Sequence, residues 1–203
     1  VSIPFVHWPE TMVTYDEEDQ ILFSCDAFGG YGALPGILFD DQCADLSFME
    51  EEALRYYSNI VAAHSAHTKR AIAKLVNTPI QMIAPSHGLI WRSHPERIFE
   101  LYSKWANYSD GGREKTATVL YGSMYGNTRF FAESVIQAVA QKGLPVEVFD
   151  INSSHISYIL PSLWKNQGVI ICTPTYEGSI FPYMMNILSM AKIKKVMNRS
   201  AAY

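Results

Sequence analysis

Tyr121-Gly122-Ser123-Met124-Tyr125-Gly126-Asn127-Thr128 decides how the second half of this chain is read. A short apolar, β-prone run at residues 118–121 leads into it, and a helical pattern over residues 127–141 leads out. A helix that starts directly after a strand presents free N–H groups and the positive end of its dipole, and both attract a phosphate. Ser123 and Thr128 add hydroxyl donors and Asn127 an amide donor, while Gly126 lets the backbone come close to a ligand. An N-cap opening an ordinary helix would use similar residues, so the strand–loop–helix setting is what favours phosphate. No lysine stands in the loop, which separates it from a Walker loop.

Outward from this loop, strands and helices alternate. Residues 146–149 read as a strand, 156–164 as a helix, 168–172 as a strand and 181–191 as a helix. That order is the start of a doubly wound parallel sheet, of which three strands are legible here against the five of a flavodoxin-like sheet. Thr173-Pro174-Thr175-Tyr176-Glu177-Gly178 follows the third strand at its carboxyl end, where such sheets bind ligands. The first loop resembles the FMN phosphate loop of flavodoxin-like domains. In that resemblance Ser123, Met124, Tyr125, Gly126, Asn127 and Thr128 hold the phosphate. In the second loop, which begins with Thr173 and Pro174, Tyr176 is expected to pack on the flavin ring and backbone groups of Thr175, Tyr176, Glu177 and Gly178 to bond its edge, Pro174 being counted with the cofactor-binding residues.

Upstream lies a polar, turn-rich stretch, Asn107-Tyr108-Ser109-Asp110-Gly111-Gly112-Arg113-Glu114-Lys115, which reads as a linker. The expected domains are therefore residues 1–112 and 113–203. In the first, residues 12–15 and 21–25 read as strands around the turn Asp16-Glu17-Glu18-Asp19. A long helical pattern over residues 50–76 carries Leu54, Tyr57, Ile60, Val61 and Ile72 on its apolar side. Residues 80–84 read as a buried strand and 96–105 as a helix entered after Pro95.

Bulk properties narrow the function classes. With 48% hydrophobic and 18% charged residues the chain can bury a core and is not a disordered one. A net charge of −4 with no basic stripe argues against nucleic acid. No run is long and apolar enough for a transmembrane helix, and Val1-Ser2-Ile3-Pro4 lacks the features of a signal peptide. Cys25, Cys43 and Cys172 form no CxxC pair, so a reducing, cytoplasmic setting is expected.

The first half also carries His7, Asp26 and His87. Asp26 ends an apolar strand, and a carboxylate in that place needs a partner. His87 follows another strand in Pro85-Ser86-His87-Gly88, and His7 precedes Trp8-Pro9. Eighteen residues separate His7 from Asp26 and sixty separate Asp26 from His87. These spacings, with the words HWPETM, FSCDAFG and PSHGLIW, resemble the ligand signature of flavodiiron proteins. The family pattern is H-x-E-x-D, a His, x18, an Asp, x60 and a final His.

The resemblance covers essentially the whole chain and carries several implications. The fold would be α/β: the C-terminal part of a metallo-β-lactamase-like αββα sandwich, then an incomplete flavodoxin-like doubly wound parallel sheet. His7 would bind one iron and His87 the other, with Asp26 bridging. The H-x-E-x-D ligands would lie upstream of Val1, so the chain is expected to be truncated at both ends, inactive alone and weak in iron binding. The intact enzyme would use FMN and two iron ions to reduce O2 to water, NO to N2O, or both. Electrons would come from a rubredoxin or similar donor, and a head-to-tail homodimer, or a dimer of dimers, would bring one subunit's flavin to the other's irons. Neither nucleic acid nor membrane is an expected partner. The family has tyrosines near the irons, for which Tyr56 and Tyr57 are the candidates.

His64 and His67, at i and i+3 among polar neighbours, read as a solvated helix face. His94 is expected to serve the helix that starts at Pro95, and His155 to lie in a polar turn. Two other functions fit parts of the pattern. A zinc hydrolase of the sandwich fold would keep the His and Asp ligands but needs no flavin loop. A flavodoxin-type electron carrier would keep the loop and leave the first half inactive.

Overall fold

The computed structural model describes residues 1–203, which divide into two compact units, Val1–Ser109 and Asp110–Tyr203.

In the first unit a three-stranded sheet of order β1-β2-β3 is formed by β1 (Thr14–Asp16), β2 (Ile21–Cys25) and β3 (Met82–Pro85). β1 pairs antiparallel with β2, Thr14 opposite Phe23, and β3 pairs parallel with β2, Phe23 opposite Ala84. The two parallel strands end together, Cys25 opposite Pro85. The residues that leave them therefore emerge at one rim. β2 alternates along its length, with Leu22 and Ser24 buried and Phe23 and Cys25 exposed, as a strand with one covered face must. The strand expected at 80–84 is shifted two residues later at its start, and only Ile83 in it is fully buried.

The long helical pattern is one path with a changing pitch. α1 (Ser47–Tyr56) passes into a π-helical turn (Tyr57–Val61), then a 3-10 turn (Ala62–His64), then α2 (Ser65–Leu75). A π turn inserts an extra residue and rotates everything after it relative to a 3.6-residue repeat. α3 (Pro95–Asn107) starts with proline in its first turn, where a missing N–H costs nothing, and buries Ile98, Tyr102, Trp105 and Ala106. The core gathers Tyr57, Tyr102 and Trp105, whose rings meet at centroid distances of 5.1 to 5.7 Å.

In the second unit, β4 (Glu114–Tyr121), α4 (Asn127–Gln141), β5 (Val146–Asp150), α5 (Ile156–Lys165) and β6 (Asn166–Cys172) follow the expected alternation. A two-stranded hairpin of β7 (Thr175–Tyr176) and β8 (Ser179–Ile180) comes next, then α6 (Pro182–Ile193) and β9 (Ser200–Ala202). The sheet runs β5-β4-β6-β9, all parallel. It therefore has four strands and not three. Ser200, Ala201 and Ala202 are small and exposed, with no apolar alternation to announce a strand, yet Gly168, Val169 and Ile170 supply their partners. In sequence order the strands lie 2-1-3-4, the flavodoxin-like order. Tyr121 lies opposite both Asp150 and Cys172, so the loops after β4, β5 and β6 share one rim. Leu120, Ile151, Ile159, Leu163, Val169, Phe181, Met184 and Ile187 form the core beneath α5 and α6.

Candidate metal centre and phosphate loop

At the rim of the first unit a carboxylate stands between two imidazoles. His7 Nε2 lies 3.3 Å from Asp26 Oδ2, and His87 Nε2 lies 3.6 Å from Asp26 Oδ1. The fold explains the meeting. Asp26 is the first residue past β2 and His87 the second past β3, and Ser86 N donates to Cys25 O across the strand ends at 2.7 Å. His7 comes from a loop and not from a strand end. The Ser2–Met12 bridge and the bond from Ile3 N to Thr11 O close that loop, and Thr11 Oγ1 donates to Trp8 O and accepts from Trp8 N within it.

Each oxygen of Asp26 faces a different ring, so no three such side chains converge on one point as in a closed single-metal cage. The tautomer of His87 is set by its other nitrogen, which lies 3.1 Å from Gly30 O and must donate there. In the neutral ring that leaves the Nε2 lone pair facing a carboxylate oxygen, the arrangement of two ligands around a cation. A cation between them satisfies both, and a carboxylate with an imidazole nitrogen near each of its oxygens suits two cations. The donor set present thus fits a shared, two-metal position.

The packing around His87 is tight. A methyl group on Gly29 would stand 2.6 Å from His87 Cε1 and 2.8 Å from Nδ1, so a glycine is what admits the ring. Tyr56 also packs against it, its ring at 4.5 Å and 63° from the imidazole, and Tyr31 stands edge-on to Tyr56 at 5.2 Å. The Tyr56 hydroxyl is buried and has no hydrogen-bond partner. Burial first, then the charge of Asp26, holds that phenol well above its usual range. It stays protonated at neutral pH, a donor with nothing yet to donate to.

Tyr57, the other candidate, is not at the site. The π turn carries it into the core, where its hydroxyl pairs with Ser65 Oγ at 2.8 Å. His64 and His67 are not a solvated face either. They pack on Phe5, His64 stacked at 5.7 Å and His67 edge-on at 4.7 Å, a contact between segments far apart in sequence. His94 precedes α3 without capping it through its side chain, and its ring pairs with Glu96. His155 is the N-cap of α5, accepting from Ser157 N.

Sequence reading missed Asp40. It is buried, and its carboxylate accepts from the backbone N–H groups of Arg92, Ser93 and His94 at 3.0 to 3.2 Å. Burial pushes its pKa up, but these bonds outweigh burial and hold the carboxyl below its ordinary value. Asp40 thereby pins the chain that runs from His87 into α3.

In the second unit the loop after β4 is built as a phosphate cradle. Gly126 is the N-cap of α4 at φ +93°, a left-handed position. Apart from its own chain neighbours nothing crowds the place where its Cβ would be, so what the fold itself demands of this glycine is conformation. Gly126 N donates to Ser123 Oγ at 2.9 Å, leaving the Ser123 hydroxyl proton free. Met124 and Tyr125 are exposed at the loop tip, and Asn127 and Thr128 open the helix, whose first N–H groups lack intrahelical partners. Across the rim, Thr173 Oγ1 is buried and unpartnered. Pro174 leads from it into the β7–β8 hairpin, whose turn residues Glu177 and Gly178 both have positive φ, the type I′ pattern. Tyr176 is on that hairpin, half exposed, edge-on to Phe181. An anionic group with donors around it and a flat ring for Tyr176 fit this rim.

Comparison with known proteins agrees with this architecture. Residues 1–88 match the family model described as ODP family beta lactamase, and residues 119–200 match Flavodoxin. The rubredoxin oxygen:oxidoreductase of Desulfovibrio gigas superposes on 99% of the chain with a TM-score of 0.91 at 26% identity. The flavodiiron protein of Giardia intestinalis does so with a TM-score of 0.92, also at 26% identity. The chain belongs to the flavodiiron protein family. An anaerobic nitric oxide reductase flavorubredoxin of Vibrio vulnificus is 35% identical over 192 residues, 93% of this chain. This flavodiiron chain spans 38% of that relative and 50% and 49% of the two solved chains. No helix in it is long and apolar enough to cross a membrane.

Proposed function

We propose that this flavodiiron chain contributes half of a diiron ligand set and the FMN phosphate loop to an enzyme that reduces O2, NO or both. The observation that carries the reading is Asp26, whose two oxygens each face a different imidazole. His7 would hold one iron, His87 the other, and Asp26 both. When bound, two ferrous ions and a reduced flavin together supply the four electrons that O2 reduction requires.

The chain's own residues do the rest. The Gly30 carbonyl fixes His87 with Nε2 outward, and Gly29 leaves room for the ring in that pose. Tyr56 closes one side of the rim with its protonated hydroxyl available to a small polar guest. At the other rim Ser123, Gly126, Asn127 and Thr128 receive the phosphate, while Tyr176 and the backbone of residues 174–178 receive the ring. The names of the similar proteins, a nitric oxide reductase flavorubredoxin and a rubredoxin oxygen:oxidoreductase, support both substrates and a rubredoxin-type donor. A homodimer placing one copy's flavin near the other's irons belongs to the same reading, and light scattering of a strictly monomeric full-length protein would remove it.

Metal and flavin content of the full-length protein purified without air tests the function. About two irons and one FMN per chain are expected. Zinc without flavin would replace this reading by a hydrolase, and flavin without metal by an electron carrier.

A further inference from the structure

We propose that Asn152 is a positioning residue that holds the phosphate loop in its binding shape without touching the ligand. The proposal deepens the FMN reading above and rests on it. Asn152 lies in the loop after β5, twenty-nine residues beyond Ser123. Its side chain grips the backbone of Ser123 from both sides: Ser123 N donates to Asn152 Oδ1 at 3.1 Å, and Asn152 Nδ2 donates to Ser123 O at 3.0 Å. The amide is itself held, because Asn152 N donates to Asp150 Oδ1 at 3.0 Å. Ser153 N and Ser154 N both donate to Asp150 O, which tightens the turn that presents it.

The grip passes into the loop. With its backbone fixed, Ser123 places Oγ to accept from Gly126 N, the bond that closes the loop on its left-handed residue. A continuous series of bonds thus runs from Asp150 through Asn152 and Ser123 to Gly126. The chemistry selects an amide at position 152. The side chain must accept from an N–H and donate to a carbonyl at once; a carboxylate can only accept, and an alkyl group can do neither. Because the Ser123 N–H is taken by Asn152 and the Gly126 N–H by Ser123 Oγ, phosphate is left to the Ser123 hydroxyl and to the remaining donors from Met124 to Thr128. Asn152 therefore acts on the phosphate end of the ligand alone. None of these hydrogen bonds reaches the hairpin that carries Tyr176.

The test is titration of full-length apoprotein with FMN and with riboflavin, which lacks the phosphate, read by flavin fluorescence. In Asn152→Ala the FMN Kd should rise about tenfold, as expected for losing two hydrogen bonds that preorganise a site. The riboflavin Kd should stay within about twofold of the unaltered protein. An unchanged FMN Kd overturns the proposal. Parallel loss of both flavins overturns it as well, because that outcome marks a general structural role, misfolding included. An unaltered protein that binds neither flavin instead removes the FMN reading itself, which separates the two failures.

Discussion

Replacing Gly29 by alanine should expel the metals by displacing a histidine that the substitution does not alter. The new methyl would stand 2.6 Å from His87 Cε1 and 2.8 Å from Nδ1, against ordinary contacts of 3.4 Å and beyond. The ring cannot retreat freely. Nδ1 is tied to Gly30 O at 3.1 Å, and the Tyr56 ring packs against the imidazole at 4.5 Å. Backbone movement is limited as well, because Asp26 O is 3.1 Å from the same methyl. Overpacking of this kind costs about 1–3 kcal/mol, and losing the bond to Gly30 adds about 0.5–1.5 kcal/mol. A total of roughly 1.5–4.5 kcal/mol should appear as a lower denaturation midpoint at unchanged slope. Iron analysis of the same sample should read well under half of the unaltered content, with FMN content unchanged. Full iron content and an unmoved midpoint in Gly29→Ala would refute the claim that this glycine seats His87.

Asp40→Asn removes an anion from three backbone donors and should destabilise the first unit by roughly 2–4 kcal/mol in urea unfolding at pH 7. Because the folded carboxyl is held below its ordinary value, Asp40 stabilises fully above the unfolded pKa of about 4. That contribution is lost as pH falls through the lower folded value, so the gap between the two proteins should close as pH drops below the ordinary aspartate range. Tyr56→Phe deletes a buried hydroxyl that has no partner, so stability should stay within about 0.5 kcal/mol or rise, while turnover with O2 or NO falls about tenfold or more. Thr173→Val deletes another unpartnered hydroxyl; apoprotein melting should not fall, whereas the FMN Kd should rise about fivefold in a fluorescence titration.

Sequence carried most of the second unit because its signals are periodic. α4 begins and ends where the pattern says, and β5 and β6 follow from apolar runs next to turn formers. β9 was not legible, since three small exposed residues gain strand geometry only from the edge of β6. The β7–β8 hairpin left only a weak signal, Gly178 after Thr175 and Tyr176, because Glu177 is not one of the residues that usually takes positive φ in a two-residue turn. In the first unit the spacing of His7, Asp26 and His87 and the strand-end places of Asp26 and His87 were legible, but the register that joins those ends, and the loop that carries His7, were not. That register is the parallel one of β2 and β3, which aligns Cys25 with Pro85. Choosing between Tyr56 and Tyr57 needed the π turn, whose extra residue no regular helical repeat anticipates. Asp40 and the Phe5–His64–His67 contact were hidden for another reason: their partners are far along the chain, and no local pattern marks them.

The most direct test of the central claim is anomalous X-ray diffraction at the iron edge from crystals of the anaerobically purified full-length protein. Two peaks should flank Asp26, one beside His7 Nε2 and Asp26 Oδ2, the other beside His87 Nε2 and Asp26 Oδ1. A single peak, or none between these rings and the carboxylate, would contradict a bridging role for Asp26.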